Sequence, residues 1–385
     1  MTVSRLKDIP GIGVDKMGDA ADALRSRDIV RLENLDTDCR PPPDAIAATH
    51  AAIDDDDANS YLPFTGHVAL REAVVARIHR SSGMAYDPHT ECIISAGGLA
   101  GIFNTLLSIL EPGDEVVLTD PTYAGLINRV RLAGGVPRFA RLVPGAHGWR
   151  LDLDSLAAAI GPRTRALLVM SPSMPSGFVA NADEWAAIAK HCCRAGAWLV
   201  YNAAMERIVF DALPVIHPAA LPEMRERTIT VGSVSKEYRM IGWRVGWIVG
   251  PAPIMADVRL TSLSNVVCQV GIGMPGATAA LTSRDDGVAS AVVEWQARRD
   301  RLLAQLRDLP VLRPSGGWSL LIDTKQLGLA SDEAARLLLA KADVAATPMK
   351  GWGPQADRYL RFVFANEPVA RLADIRERVR VAWGL

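Results

Sequence analysis

Between residues 91 and 250 the chain alternates short, continuous apolar runs with longer helical stretches, and no other feature narrows its fold as much. "ECIISA" (91–96), "DEVVLTD" (114–120), "RALLVMSP" (165–172), "AWLVYN" (197–202), "TITVGS" (228–233) and "VGWIVG" (245–250) read as buried strands. Most lack the two-residue alternation of a half-solvated strand, as expected when both faces of a sheet are covered. Helical patterns at 99–110, 123–133 and 182–195 fall between several of them. Strand, helix, strand in this order implies an α/β fold with a largely parallel sheet. Near residue 284 the character changes: a long amphipathic helix (284–309) is followed by "GGWSLLID" (316–323), a helix at 331–342, "RYLRFVF" (358–364) and a last helix from about Pro368. That is a smaller α+β unit. At 385 residues the chain exceeds one ordinary core, so we expect a large domain over 46–285, a small one over 286–385, and an N-terminal segment (1–45) packing with the small one.

Several function classes are disfavoured at this level. Lys plus Arg (42) nearly balance Asp plus Glu (43), so no net field favours nucleic acid or an anionic membrane. No apolar run reaches the roughly 18 residues of a membrane span. "MTVSRLKDIPGIGVDKMGD" has no apolar core followed by a small-residue cleavage site, which argues against secretion. Cys39, Cys92, Cys192, Cys193 and Cys268 are scattered and without metal-ligand spacing, and the histidines are dispersed. The expectation is a cytoplasmic protein with reduced cysteines, no metal, and no nucleic-acid or membrane partner.

In open parallel sheets ligands sit beyond the carboxyl ends of the strands. After 91–96 comes "AGGLAG" (96–101), glycines opening a helix whose backbone N–H groups could face an anion; a plain tight turn is the simpler reading of that motif alone. After "TITVGS" comes "SVSKEYRMIGWRVGW" (233–247), with hydroxyls at Ser233 and Ser235, Lys236 between them and a loop, and Arg244 eight residues on. Lysine is seldom placed behind a buried strand without a partner or a task. Two hydroxyls and an arginine around it suit a phosphate.

"SVSKEYRMIGWRVG" resembles the lysine signature of the fold-type I pyridoxal-phosphate enzymes, the class I/II aminotransferases, written Ser-x-Ser-Lys and then Gly-x-Arg-x-Gly. Companion motifs fall in the family's order over nearly the whole chain: "NSYLPFTGHVALREAV" (59–74), "DPTYAG" (120–125), "SPSMPSG" (171–177) and "YLRFVFAN" (359–366). The resemblance implies a seven-stranded, mostly parallel sheet sandwiched by helices in a large domain that binds pyridoxal 5'-phosphate. It implies transfer of an amino group between an amino acid and a 2-oxo acid through a Schiff base on Lys236, which also shuttles the α-proton. By the same resemblance Gly98 and Leu99 give backbone amides to the phosphate, Ser233, Ser235 and Arg244 add side-chain donors, and Tyr123 stacks on the ring. Tyr61 would reach the phosphate of a partner subunit, making the site a property of a homodimer. Arg361 would clamp the substrate carboxylate, and Trp318, with Trp352, would border the substrate pocket, although a buried structural Trp318 is equally consistent.

Three positions depart from the family pattern. Where it places an aspartate on the pyridine nitrogen, this chain has Asn202. The tyrosine and asparagine that share the ring oxygen are Met205 and Met174. A neutral amide cannot favour a protonated ring as a carboxylate does, so the electron sink should be weaker. Asp36, in "NLDTDCRPPPDAI" (34–46), falls near a family glycine; it either meets a cationic substrate side chain or forms a turn. Three readings remain open. The chain is an aminotransferase that tolerates the neutral contact, a pyridoxal-phosphate enzyme with other chemistry (elimination, racemisation or oxidation), or a cofactor-binding protein without turnover.

Overall fold

The computed structural model describes residues 3, 6, 7, 9, 11–24 and 28–385. A short strand β1 (Val30–Arg31) precedes eight strands of a large sheet. These are β2 (Cys92–Ser95), β3 (Glu115–Asp120), β4 (Val136–Gly145), β5 (Gly148–Leu151), β6 (Thr164–Met170), β7 (Trp198–Asn202), β8 (Thr228–Ser233) and β9 (Gly246–Val249). Their spatial order is β2-β9-β8-β7-β6-β3-β4-β5. Strands β8, β7, β6, β3 and β4 run parallel, and β9 is antiparallel to both its neighbours. The expected seven strands are exceeded by one, because β5 folds back on β4 as an antiparallel hairpin at the edge. Its four residues are too short to show a strand pattern in the sequence.

The central strands are apolar throughout because helices cover both faces. One face packs Val116, Leu118, Leu168, Val200 and Ile248 against Ile102 and Leu106 of the helix Gly98–Ile109 and against its neighbours. On the other side Trp185 and Ile188 of the helix Ala182–Ala195 join Leu167, Leu199 and Tyr201. That helix starts in a reciprocal cap, with Asn181 accepting from Glu184 N at 2.9 Å and Glu184 accepting from Asn181 N at 2.8 Å.

A second sheet has the order β10-β11-β14-β13, from β10 (Val311–Leu312), β11 (Ser319–Asp323), β13 (Thr347–Pro348) and β14 (Tyr359–Val363). Strand β12 (Val344–Ala345) pairs in parallel with β1 instead, and Val363 N donates to Leu32 O at 2.8 Å. The amphipathic helix expected over 284–309 spans Val288–Gln305. No helix among the described residues is long and apolar enough to cross a membrane.

Asp120, at the end of β3, ties the large sheet to the loop before β14. Its carboxylate accepts from Gln355 N at 3.1 Å, and Thr122 N donates to Trp352 O at 2.9 Å. Burial pushes the Asp120 carboxyl up to about 6 against the opposing bonds from Gln355. A carboxyl whose folded pKa is raised is stabilising to the fold only while protonated. Its contribution is intact below the unfolded value near 4 and is lost as pH climbs through 6. Asp120→Asn is therefore expected to gain stability relative to the parent as pH rises from 4 to 7, read as the difference in Tm. A difference that stays constant over that range would show that Asp120 does not titrate in the fold.

Candidate active site

The carboxyl ends of β6, β7 and β8 lie side by side, with Met170 opposite Asn202 and Asn202 opposite Val231. Beyond them opens a cavity of about 550 Å³. Gly98, Leu99, Tyr123, Asn202, Ser233, Ser235, Lys236, Arg244 and Arg361 all line it, together with Met174 and Met205. Residues up to 263 positions apart in sequence are thus brought to one chamber, of a size suited to a small molecule. A larger groove of about 1050 Å³ lies beside the N-terminal helix Val14–Asp22 and holds none of these residues.

Lys236 follows β8 and is half-buried. Its Nζ donates to Leu35 O at 2.9 Å and stands 4.8 Å from the Trp318 ring centroid. Loss of solvent pulls its pKa down to about 7; the nearby Asp36 carboxylate opposes this, and the Arg361 and Arg244 cations add to it. An ordinary lysine is almost wholly protonated at neutral pH, whereas this amine is about half neutral there and so able to attack a carbonyl. The next residue, Glu237, anchors the loop in a buried ionic network. It accepts from Arg77 at 2.7 Å and from Arg207 at 3.0 Å, and these two cations hold its carboxyl below the usual range despite burial. Asn202 Oδ1 accepts from Ala204 N at 3.2 Å, and its neighbour Tyr201, on the opposite face of the strand, is held through Oη by Ser171 O at 3.1 Å and Glu206 at 3.2 Å.

At one end of the cavity three glycines leave a hollow. A Cβ on Gly97 would stand 2.6 Å from Arg244 Nη2, and one on Gly246 would stand 2.7 Å from Gly98 N. Gly97 also has a φ of +83°, which disfavours a side chain there independently of space. The helix Gly98–Ile109 begins at this point, so its first-turn N–H groups have no carbonyl one turn behind them to bond. Ser233 Oγ lies beside Gly98, and Arg244 Nη1 reaches Ser235 Oγ at 3.4 Å and Ile241 O at 2.7 Å. Arg244 itself sits at φ +54°, an uncommon conformation for an arginine and one that turns its side chain back over the glycines. Backbone donors, two hydroxyls, a guanidinium and the helix dipole make this an anion site.

Arg361, on β14, is fully buried and lines the same cavity. Its Nη2 donates to Glu33 O and to Thr347 Oγ1 (3.2 Å), its Nη1 to Met174 Sδ at 3.5 Å, and its Cζ lies 4.9 Å from the Trp352 ring centroid. No carboxylate stands among these partners, and among the described residues Nε has no hydrogen-bond partner. Burial lowers its pKa to about 10, with Tyr123 and Glu33 opposing the drop. A buried cation without a counter-ion is costly for a fold to keep and is arranged to receive an anion. Tyr123 also lines the cavity, edge-on to Trp352 with centroids 5.3 Å apart. Burial raises its hydroxyl pKa, with Arg129 and Arg361 opposing.

Four of the expected site residues, Asp36, Trp318, Trp352 and Tyr61, are not among those lining the cavity. Asp36 is exposed and off the cavity wall; its Oδ1 accepts from Thr37 N at 2.7 Å, and its carboxylate acts on the nearby Lys236 through charge. Trp318 lies beneath Lys236, buried against Trp295 at 5.1 Å, and supports the amine rather than bordering the chamber. Tyr61 is 83% exposed and outside the cavity of its own chain. Conversely, Glu33 and Leu35 carbonyls, Thr347 and Met174 serve Arg361 and Lys236, and no sequence motif announced those contacts. Arg129, which holds the Leu99 carbonyl at 3.0 Å and so braces the glycine turn, was also not apparent.

The family model for aminotransferase class I and II matches residues 30–379. A probable N-succinyldiaminopimelate aminotransferase of Mycobacterium tuberculosis is 34% identical over 98% of this chain and 99% of its own length. The arginine–pyruvate transaminase of Pseudomonas aeruginosa is 32% identical over 80% of this chain and 79% of its own. Among solved structures, the N-succinyldiaminopimelate aminotransferase of M. tuberculosis superposes over 100% of both chains with a TM-score of 0.92 at 33% identity. The aspartate aminotransferase of Thermus thermophilus with maleate superposes over 99% of both with 0.91 at 28%. With these likenesses and this cavity, the chain belongs to the class I and II aminotransferases, enzymes that use pyridoxal phosphate to move amino groups between amino acids and keto acids.

Proposed function

We propose that Lys236 is the lysine that carries the cofactor and moves the substrate α-proton, and that Arg361 anchors the substrate carboxylate. The observation carrying this reading is that a lysine with its pKa lowered to about 7 and a buried guanidinium without an ion-pair partner among the described residues share one chamber. Pyridoxal phosphate, when bound, supplies an aldehyde and an electron-withdrawing ring. The glycine hollow fits its phosphate: Gly98 and Leu99 N–H, Ser233, Ser235 and Arg244 are the donors, and Tyr123 offers a ring face in the same cavity. Arg361 presents a planar fork that orients a carboxylate, which places the neighbouring α-carbon towards Lys236. With its pKa near 7, Lys236 takes a proton and gives it back without a large penalty in either direction.

The same reading makes the enzyme a cytoplasmic homodimer. Tyr61 and Phe64 are exposed, and so are Val267, Val270 and Ile272 beside the point where Gly271 meets Ala58. An apolar patch of this kind suits a second copy, with Tyr61 directed to the partner's phosphate hollow. Pairing of β1 with β12 supports a division in which 1–45 moves with 286–385 and 46–285 forms the cofactor domain.

The replacement of all three ring contacts by Asn202, Met174 and Met205 is the one observation that favours a second reading, non-transaminase chemistry on the same cofactor. One experiment separates the two. The holoenzyme is incubated with a panel of acidic, basic, N-acylated and apolar amino acids and a 2-oxo acid acceptor. Transamination is expected, with one keto acid formed per amino group transferred. Ammonia or peroxide in place of a transferred amino group would overturn it in favour of the second reading.

A further inference from the structure

The way Asn202 is held determines which of its atoms faces the cavity. Oδ1 accepts the Ala204 N–H at 3.2 Å. A backbone N–H only donates, so the atom tied to the chain is the oxygen, and the atom left over is the NH₂. Among the described residues that NH₂ has no hydrogen-bond partner, although Asn202 is 6% exposed and lines the cavity. Asn202 therefore offers the chamber a donor, where an aspartate in the same pose would offer an acceptor.

The surroundings reinforce this polarity. Met174 and Met205 present thioethers, which accept weakly and donate nothing, and Met174 Sδ already takes Arg361 Nη1. Among the described residues no aspartate or glutamate lines the chamber, while Lys236, Arg244 and Arg361 all do. A protonated ring nitrogen here would set one N–H against another and add a positive charge without a counter-ion. An unprotonated nitrogen accepts from Asn202 and adds no charge. Both the hydrogen-bond polarity and the Coulomb balance favour the second state.

We propose that Asn202 binds the cofactor ring in its unprotonated form, donating Nδ2–H to the ring nitrogen, and so sets a weaker electron sink than a carboxylate would. The inference rests on the proposed reading of the cavity as the cofactor site. It assigns Asn202 as the residue that tunes this enzyme's chemistry away from that of a charged contact.

The test uses pyridoxal phosphate labelled with ¹⁵N in the ring, bound to the intact enzyme and observed by solid-state NMR. The free cofactor on either side of its own ring titration supplies the two reference shifts. The parent enzyme is expected to show the unprotonated shift, unchanged between pH 6 and pH 9, values chosen to bracket neutrality. Asn202→Asp keeps an acceptor for Ala204 N–H and reverses only the atom facing the cavity, so its signal is expected to move to the protonated position. A protonated shift in the parent, or identical shifts in parent and variant, would overturn the proposal. A preparation with no bound-cofactor signal would remove the underlying reading of the site, and this inference with it.

Discussion

Lys236→Ala is expected to abolish turnover, and this is the largest single effect the site predicts. The substitution removes both the amine that holds the cofactor and the group that moves the α-proton. Loss of a positioned general base alone costs about 10²–10⁴-fold in rate. Removing the covalent attachment adds to that loss, and the variant should retain amino-acid binding through Arg361. The fold should survive, because among the described residues the Lys236 side chain makes one hydrogen bond, to Leu35 O, and removing a group whose charge is disfavoured by burial relieves a cost. The check is the single-turnover rate of amino-group transfer beside a melting curve. A variant that still transfers amino groups at a tenth of the parent rate would remove Lys236 from both roles.

The second large effect is expected at Arg361, and it separates function from stability. Truncating one partner of a buried, hydrogen-bonded charge pair costs about 2–5 kcal/mol. At about 1.4 kcal/mol per factor of ten, Arg361→Met should lower kcat/KM by roughly 30-fold to several thousand-fold. Most of that should appear in KM, because the carboxylate is bound in the ground state as well as the transition state. Without substrate, however, Arg361 is, among the described residues, a buried cation with no carboxylate partner and an unbonded Nε. Replacing such a charge by an apolar side chain of similar length is often neutral or stabilising. Arg361→Met is therefore expected to lose activity without losing Tm. A fall in Tm that accounts for the lost activity would mean that Arg361 is a structural residue joining Glu33 O and Thr347 to Met174.

The parts of this site legible in the sequence are those whose chemistry is local. Ser233, Ser235, Lys236 and Arg244 fall within one strand and the turn that follows, and Gly98 and Leu99 open one helix. Continuous apolar runs at β3, β6, β7 and β8 announce a sheet covered on both faces, and the runs match those strands closely. What escaped is set by contacts between distant segments. Arg361 depends on a carbonyl 328 residues away, supplied because β1 and the residues after it run beside β12 and β14. No local pattern encodes that pairing. Asp36 and Trp318 sit close in space to the lysine, but the direction of a side chain follows from backbone geometry that the sequence does not display. Asp36 is exposed with its Oδ1 taken by Thr37 N, and Trp318 packs on Trp295 with its ring facing the amine. The β4–β5 hairpin escapes the sequence because β4, second from the sheet edge, is largely exposed or half-buried with no continuous apolar run, and the edge strand β5 has four residues.

The claim on which the rest depends is that Lys236 is the residue bearing the cofactor, and the most direct measurement is to fix that bond and locate it. Holoenzyme treated with borohydride, digested and mapped by mass spectrometry should carry one reduced phosphopyridoxyl group per chain, on the peptide containing Lys236. Capture of the cofactor by the apoenzyme should also slow as pH falls below 7, where the amine becomes protonated. Label on another lysine, or none on a protein that nonetheless transfers amino groups, would contradict the account.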